Sequence, residues 1–479
     1  MKYILKFLVI NLAFLSFLAT NNGALASELV VNDPNSAVNE NGLCSLSEAI
    51  ININNQNSSG SEDCASGLGV NTIYLSTDVS ITEPFLNGGN NFVGTPFITK
   101  SLTIDGNGNS VSRSSEDFFD LFRSDSPINL TFQNIIFSGG QDEENLGGIL
   151  FLTGVSNVNI FDSEFRNSRY SIYAFNNTNS GKNLNIVRTR FSGNKENILN
   201  AYKYRIRIID SYFENNSGVI NSWPFLSSSS LINLSSSEML MGRTTFDGNI
   251  DAVMLATNGG WGEGVLSKII IDDSTFSNNF NESWHSVLRS QSSIDLKITN
   301  STFSNNVSLR DTLSFQNFDD LSKAVIAYST FVNNDSIESE AYPDGATIRM
   351  DQVSEMINFS VENSLFYENT EDCDFSFAAQ SVSLIGNLSD SSCGTTQATG
   401  IDTNLANNGG PTRTHKLLQG SNAIDTAVTT GVTVKCPKHD QRGYIRGTDG
   451  NGDGVSGCDV GAYEVYKRIV PGTISSSLR

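Results

Sequence analysis

The chain has 479 residues, with 30 basic against 51 acidic side chains and a formal net charge of −21. Hydrophobic residues make up 38% and charged residues 17%, too few charges for a disordered acidic tail and too polar a sequence for a bundle of membrane helices. The acidic balance, with no basic stripe, excludes nucleic acid as a partner and disfavours anionic membrane surfaces.

The first segment reads as a delivery signal. Lys2 and Lys6 give a positive start, Phe7 to Ala19 is mostly apolar, and Ala24-Leu25-Ala26 supplies the small residues that a signal peptidase reads. The apolar run is shorter than the roughly 20 residues a membrane-spanning helix needs. Residues 1–26 are therefore expected to be removed before Ser27. No later segment is apolar and long enough for a transmembrane helix, so the mature chain is expected outside the cytoplasm, extracellular or on an outer-membrane surface.

The six cysteines fall into the local couples Cys44 with Cys64, Cys373 with Cys393, and Cys436 with Cys458, separated by 20, 20 and 22 residues. There is no CxxC, which argues against a zinc ribbon or redox motif. Local disulfides are expected in preference to free buried thiols. Each such loop would stabilise the fold by roughly 3 kcal/mol through unfolded-state entropy.

The middle of the chain repeats. Ser274-Thr275-Phe276-Ser277-Asn278-Asn279 recurs as Ser301-Thr302-Phe303-Ser304-Asn305-Asn306, and weaker copies carry Phe137, Phe165, Phe191, Phe213, Phe246, Phe331 and Phe366. The copies are 22 to 35 residues apart. Five and seven residues before every Phe the side chain is apolar, from Leu130 and Phe132 to Phe359 and Val361. Apolar residues two apart describe a strand with one buried face. Two residues before the Phe stands Ser or Thr in eight of nine copies, and Asn usually follows two or three residues after it. The change of parity implies a corner, and the Asn suits a turn with left-handed backbone angles.

A strand group recurring with spacers of variable length predicts an all-β fold: a single-stranded right-handed parallel β-helix, a solenoid. Successive coils would set Phe on Phe and Asn on Asn at about 4.8 Å. Leucine-rich, propeller and helical repeats need other periods. The open ends of such a solenoid need covering. The expected organisation is a signal peptide at 1–26, an N-terminal cap with the first coils at 27–100, the repeats at 101–395, and a C-terminal cap at 396–479.

Two groups of terminal motifs resemble a bacterial family. Asn41-Gly42-Leu43-Cys44-Ser45-Leu46-Ser47-Glu48-Ala49-Ile50 resembles the CSLREA motif of bacterial surface β-helix proteins, with Ser47 where that motif has Arg. Asn71 to Leu75 and Ile98 to Gly106 resemble the coils that follow it. Asn407 to His415, Gly420 to Asp425, Asp440-Gln441-Arg442-Gly443 and Cys458 to Glu464 resemble the choice-of-anchor Q domain. The resemblance implies a secreted or surface right-handed β-helix of the polymorphic outer-membrane-protein kind. It implies no defined reaction.

Asp449-Gly450-Asn451-Gly452-Asp453-Gly454 places oxygen ligands at positions 1, 3 and 5 with glycine at 6, the spacing that wraps a calcium ion. Asp459 and Glu464 are expected to close the site, although Val460 stands at the twelfth position, so it is not a complete EF-hand. The competing expectation is a polar turn, since Asp, Asn and Gly are turn formers.

Catalysis is poorly supported by the repeats. Glycoside hydrolysis needs two carboxylates about 5 to 9.5 Å apart. In the outward columns four and six residues before each Phe, no two carboxylates fall on adjacent coils. Asp272, Asp295 and Lys297 form the best weak constellation. His285, His415 and His439 are too scattered for a metal site, with His415 and Asp425 expected as structural hydrogen bonders. Trp223, Trp261 and Trp284 lie between the repeats, where they would stack on sugar rings or cover coil junctions. The sequence thus predicts a monomeric, non-enzymatic surface protein that binds carbohydrate or a cell-surface partner along the solenoid. The alternative is a polysaccharide lyase or glycoside hydrolase of pectate-lyase-like fold.

Overall fold

The structure, a computed structural model, describes residues 28–86, 92–141, 148–178, 181–218, 230–257, 266–281, 286–291, 293–316, 321–337, 345–351, 358–375 and 382–466. The segment expected to be a signal peptide, the three tryptophans and His285 lie outside the described residues.

Successive coils of the chain lay their strands on three long sheets, of 13, 11 and 10 strands. The first sheet begins with Leu29–Val31 and ends with Val382–Ile385, the second runs from Val79–Ile81 to Leu365–Tyr367, and the third from Phe122–Ser124 to Cys373–Asp374. Within these sheets every pairing is parallel and joins neighbouring coils, as Asn157–Phe161 pairs with Lys182–Val187. The protein is a right-handed parallel β-helix, with the hand that parallel crossovers nearly always take.

The predicted columns are the interior. All eighteen apolar residues five and seven before the phenylalanines are buried, and so are the nine phenylalanines. From Phe165 to Phe366 consecutive rings stack with centroids 4.4 to 4.9 Å apart. This spacing is that of the backbone ladder, so the register of the sheet and the stacking of the rings reinforce each other.

The asparagines after each Phe divide into two roles. The residue two after it takes a left-handed backbone: Asn167, Asn215, Asn278, Asn305 and Asn333 have φ of 51 to 52°. The residue three after it forms a ladder through Asn194, Asn216, Asn249, Asn279, Asn306, Asn334 and Asn369. Each of the first six donates through Nδ2 to Oδ1 of the next at 2.8 to 3.0 Å. All seven also donate to a phenylalanine carbonyl of the preceding coil, at 2.8 to 3.1 Å. A buried amide unpaired in this way would cost about 1–3 kcal/mol, and the ladder leaves none of these so. A second left-handed column lies three residues before each Phe, from Asn134 to Asn363, with φ of 46 to 53°.

The N-terminal end is covered by the helix Leu46–Asn55. Ser45 and Glu48 form a reciprocal capping box at its start, which satisfies two orphan amides. Leu46, Ala49, Ile50 and Ile53 enter the solenoid core. A disulfide joins Cys44 to Cys64 beside the helix, with Cα atoms 4.6 Å apart. Cys373–Cys393 and Cys436–Cys458 are also joined.

The C-terminal segment does more than close an end. From Ile401 onward it lies along the flank of the second sheet, reaching back to the coil of Phe246, where Arg413 pairs with Asp247 at 3.7 Å. Its apolar residues Ala398, Ile401, Leu417, Ile424, Val460 and Tyr463 form a separate cluster with outward Val332 and Leu365 of the solenoid.

Candidate functional site

The C-terminal motifs dock their segment on the solenoid. Gln441 Nε2 donates to Ser274 O at 3.2 Å and to Thr275 Oγ1 at 2.8 Å, while its Oε1 accepts from Thr302 Oγ1 at 2.6 Å. Arg446 is fully buried against Glu464 at 3.3 Å and donates to Gly461 O and Asn300 Oδ1. Arg442 pairs with Asp440 at 2.6 Å and lies 3.5 Å from the ring centre of Tyr463. His415 bridges Asp402 O and Ser304 Oγ, both at 2.9 Å, and burial lowers its pKa.

The residues expected to bind calcium are split by the fold. Asp449, Asn451 and Asp453 sit on the surface loop and accept N–H groups from Gly452, Gly454, Asp453 and Val455 of that same loop. Asp459 and Glu464 are fully buried in the docking network: Glu464 accepts from Asp459 N, Gly447 N and Thr448 N, and Asp459 from Asp425 N and Val465 N. These three loop side chains carry five oxygens, fewer than the six to eight that calcium takes. Among the described residues, no group of three or more His, Cys, Asp or Glu side chains is assembled for a metal.

The weak catalytic constellation is spread over two strands of the first sheet. Asp295 stands opposite Lys268 on one side and Lys323 on the other. Lys297 faces Ile270 across the ladder, and Asp272 accepts from Thr299 Oγ1 at 2.7 Å. Burial raises the pKa of Asp272 and, with the Asp272 charge beside it, pushes Asp273 up to about 7. This pair lies against the C-terminal segment, since Thr412 Oγ1 donates to Asp273 O. It is part of the docked flank.

The richest chemistry is on the outer face of the third sheet. Strand alternation points Phe151, Tyr173, Phe175 and Tyr202 outward from the coils Leu150–Thr153, Ile172–Phe175 and Leu199–Tyr202. Phe151 stacks on Tyr173 at 4.8 Å, Phe175 on Tyr202 at 5.0 Å, and Tyr173 lies parallel to Phe175 at 6.3 Å. The guanidinium of Arg123 sits 4.3 Å above the Phe151 ring. Beside the rings Thr153 donates to Asp125 at 2.5 Å, and in register with Tyr173 the next coil carries Asn200. The result is a ring surface edged with polar groups.

Further along the same face the character changes. The outward column continues as Arg289, Ser314, Arg349 and Asp374. Asp351 holds Arg310 and Arg349, each at 2.9 Å, and Arg349 also lies 3.5 Å from Asp374. Arg289 donates to Gln316 Oε1 at 2.7 Å. Asp311, at the turn before Leu313–Gln316, is fully buried, accepts from Ala346 N, and leaves its Oδ2 without a hydrogen bond. Burial pushes its pKa up to about 7 despite the arginines nearby.

Neither half of this face was visible in the repeats. Its strands fall in the spacers, whose length varies from coil to coil, so no constant offset from the Phe marks them. Register with the neighbouring coil is what aligns Arg289 with Arg349.

No protein-family model and no curated protein matches the chain. Among solved structures it is similar to pectate lyase Pel9A, at 12% identity over 93% of this chain and 98% of that one, with a TM-score of 0.41. It is similar also to the A-module of mannuronan C-5 epimerase AlgE6 from Azotobacter vinelandii, at 12% identity over 67% of this chain and 90% of that one, TM-score 0.38. A third is the catalytic domain of a GH87 alpha-1,3-glucanase, at 14% identity over 67% and 65% of the two chains, TM-score 0.34. These likenesses concern the fold and transfer no residue role.

Proposed function

We propose that this protein is a secreted or cell-surface β-helix that binds a carbohydrate chain along the outer face of its third sheet. The observation that carries this reading is the array of half-buried outward rings Tyr173, Phe175 and Tyr202, with Phe151 buried at its edge beneath Arg123. Sugar rings present apolar C–H faces that pack on aromatic faces, and the polar edges at Arg123, Asp125 and Asn200 suit their hydroxyls. A solenoid offers such contacts at a repeat of about 4.8 Å, so a chain lying along it is met more than once. The three disulfides fit an extracellular address. The CSLREA-like and choice-of-anchor Q-like motifs support the same address. Calcium is assigned a bracing role at the loop of Asp449, Asn451 and Asp453, with solvent completing the shell.

The test is affinity electrophoresis of mature protein through gels containing a panel of neutral, uronate-containing and sulfated glycans. Retardation by at least one glycan is expected, and Tyr173→Ala should weaken it by about three- to tenfold, the worth of one aromatic contact. Retardation by none would overturn the reading. Polysaccharide cleavage remains the second reading because of Asp311, a buried acid positioned beside arginines. New reducing ends or unsaturated uronate products in the same panel, lost in Asp311→Asn, would establish it.

A further inference from the structure

We propose that the outer face of the first sheet, from the strand Tyr204–Ile209 to the strand Lys323–Ala327, binds an acidic glycan that carries one anion on every second sugar. This goes beyond the carbohydrate reading of the third sheet, since the face shares none of its rings.

The face is made by register. Near the start of each strand, Arg205, Glu238, Lys268, Asp295 and Lys323 stand opposite one another on successive coils. The sign of the charge alternates without a break. Two residues further along each strand a second column runs Arg207, Leu240, Ile270 and Lys297. The cations of both columns are exposed, and so is Leu240, at 41%. The next member of the second column, Val325, is buried in a cluster with Val434 and Cys436 of the C-terminal segment, which bounds the face.

Opposite charges in register commonly support a sheet. Here that role accounts for one contact, Arg205 with Glu238 at 3.2 Å. Arg207, Lys268, Lys297 and Lys323 form no salt bridge among the described residues. Lys297 lies within electrostatic reach of Asp272, at the edge of the same sheet. With Asp272 included, the cations Arg205, Arg207, Lys268, Lys297 and Lys323 meet the carboxylates Glu238, Asp295 and Asp272, an excess of positive charge in a chain of net charge −21. An anionic chain repelled by the rest of the protein meets complementary charge on this face.

Spacing selects the chain. Parallel strands lie about 4.8 Å apart, so like charges in the alternating column recur at about 9.6 Å. Each pyranose of an extended glycan advances by about one strand spacing, so a disaccharide spans about two coils. An anion on every second sugar then meets Arg205, Lys268 and Lys323 in turn. The neutral sugars between them meet Glu238 and Asp295, whose carboxylates accept hydrogen bonds from hydroxyls. The apolar face of a sugar packs on Leu240 and Ile270, with Arg207 and Lys297 at either end of that pair. A chain with an anion on every sugar would set like charges against Glu238 and Asp295.

Isothermal titration of the mature protein with hexasaccharides at low salt tests it. The probes are hyaluronan and unsulfated chondroitin, acidic on alternate sugars; galacturonan, acidic on every sugar; and cellohexaose, which is neutral. At least one alternating probe should bind about tenfold or more tighter than galacturonan and cellohexaose, and about 0.5 M salt should erase the difference. Lys268→Gln should weaken that binding about three- to tenfold with thermal melting unchanged. The double variant Glu238→Gln, Asp295→Gln should bring galacturonan level with the alternating probes. Equal affinities for alternating and galacturonan probes, a polyphosphate of the same charge that binds as tightly, or a Lys268→Gln variant of unchanged affinity would overturn the proposal. Tyr173→Ala should leave the alternating preference intact. If it removes that preference instead, the rings of the third sheet hold the chain and the first sheet does not. If Tyr173→Ala weakens cellohexaose binding and no alternating preference exists, the proposal fails and the carbohydrate reading of the third sheet stands.

Discussion

The repeat core and the docked C-terminal segment bury their groups by opposite means. In the core one solution is copied: Phe on Phe, Asn on Asn, each coil presenting to the next what it received from the last. In the C-terminal segment nothing is copied. Gln441, Arg442, Arg446 and Glu464 each have a particular partner, and the partner of Gln441 lies 167 residues away in sequence. Repetition makes stability a sum of similar interfaces, so that one defect weakens its neighbours only. A buried ionic network has no such redundancy, because a lost partner leaves a charge uncompensated.

This contrast can be broken experimentally. Arg446→Ala removes the fully buried partner of Glu464 and should cost about 3–5 kcal/mol. It should expose the C-terminal segment to limited proteolysis while far-ultraviolet circular dichroism of the solenoid persists. Loss of both together would show that the segment and the coils form one cooperative unit. Phe276→Ala, in the middle of the stacked run, should cost about 3–5 kcal/mol in urea unfolding and leave the docked segment protected. Asn279→Ala should cost less, about 1–3 kcal/mol, by stranding the amides and carbonyls on both sides of it.

Titration sharpens the comparison. Asp273 and Asp459, both in the docked region, have pKa values pushed up to about 7 by burial and by a neighbouring carboxylate. Their unfolded values are about 3.9. The folded state therefore holds more protons, and the stability they contribute is complete below about pH 4 and lost as pH rises through about 7. Thermal melting should occur several degrees lower at pH 8 than at pH 5.5, and Asp273→Asn should reduce the difference. An unchanged melting temperature across that range would contradict the assignment. The smallest effect is expected from calcium: EDTA should lower the melting temperature of the C-terminal segment by a degree or two, about 0.5 kcal/mol at this scale, and Asp449→Asn should abolish the response.

The N-terminal helix shows how a legible signal can be passed over. Ser45 and Glu48 have the spacing of a capping box, and Leu46, Ala49, Ile50 and Ile53 have a helical period. Ser45 to Ile50 also belong to the family motif, which names a segment without giving its conformation. The calcium loop shows the converse. Spacing alone groups Asp449 with Asp459 and Glu464, whereas the fold buries the last two in the ionic network beside Arg446.

The sequence by itself determined the solenoid, because an inward column is written at a constant offset from each Phe and a parallel ladder needs only that constancy. It determined the cysteine couples for a similar reason, since their partners are near in the chain. The outer face of the third sheet was decided only by tertiary structure. Its strands sit at variable distances from the Phe, and coil-to-coil pairing is what brings Phe151 onto Tyr173 and sets Arg289 and Arg349 on either side of Ser314. Local periodicity encodes the interior. The chemistry outside depends on which residues the ladder makes neighbours, and that register is fixed by packing across coils.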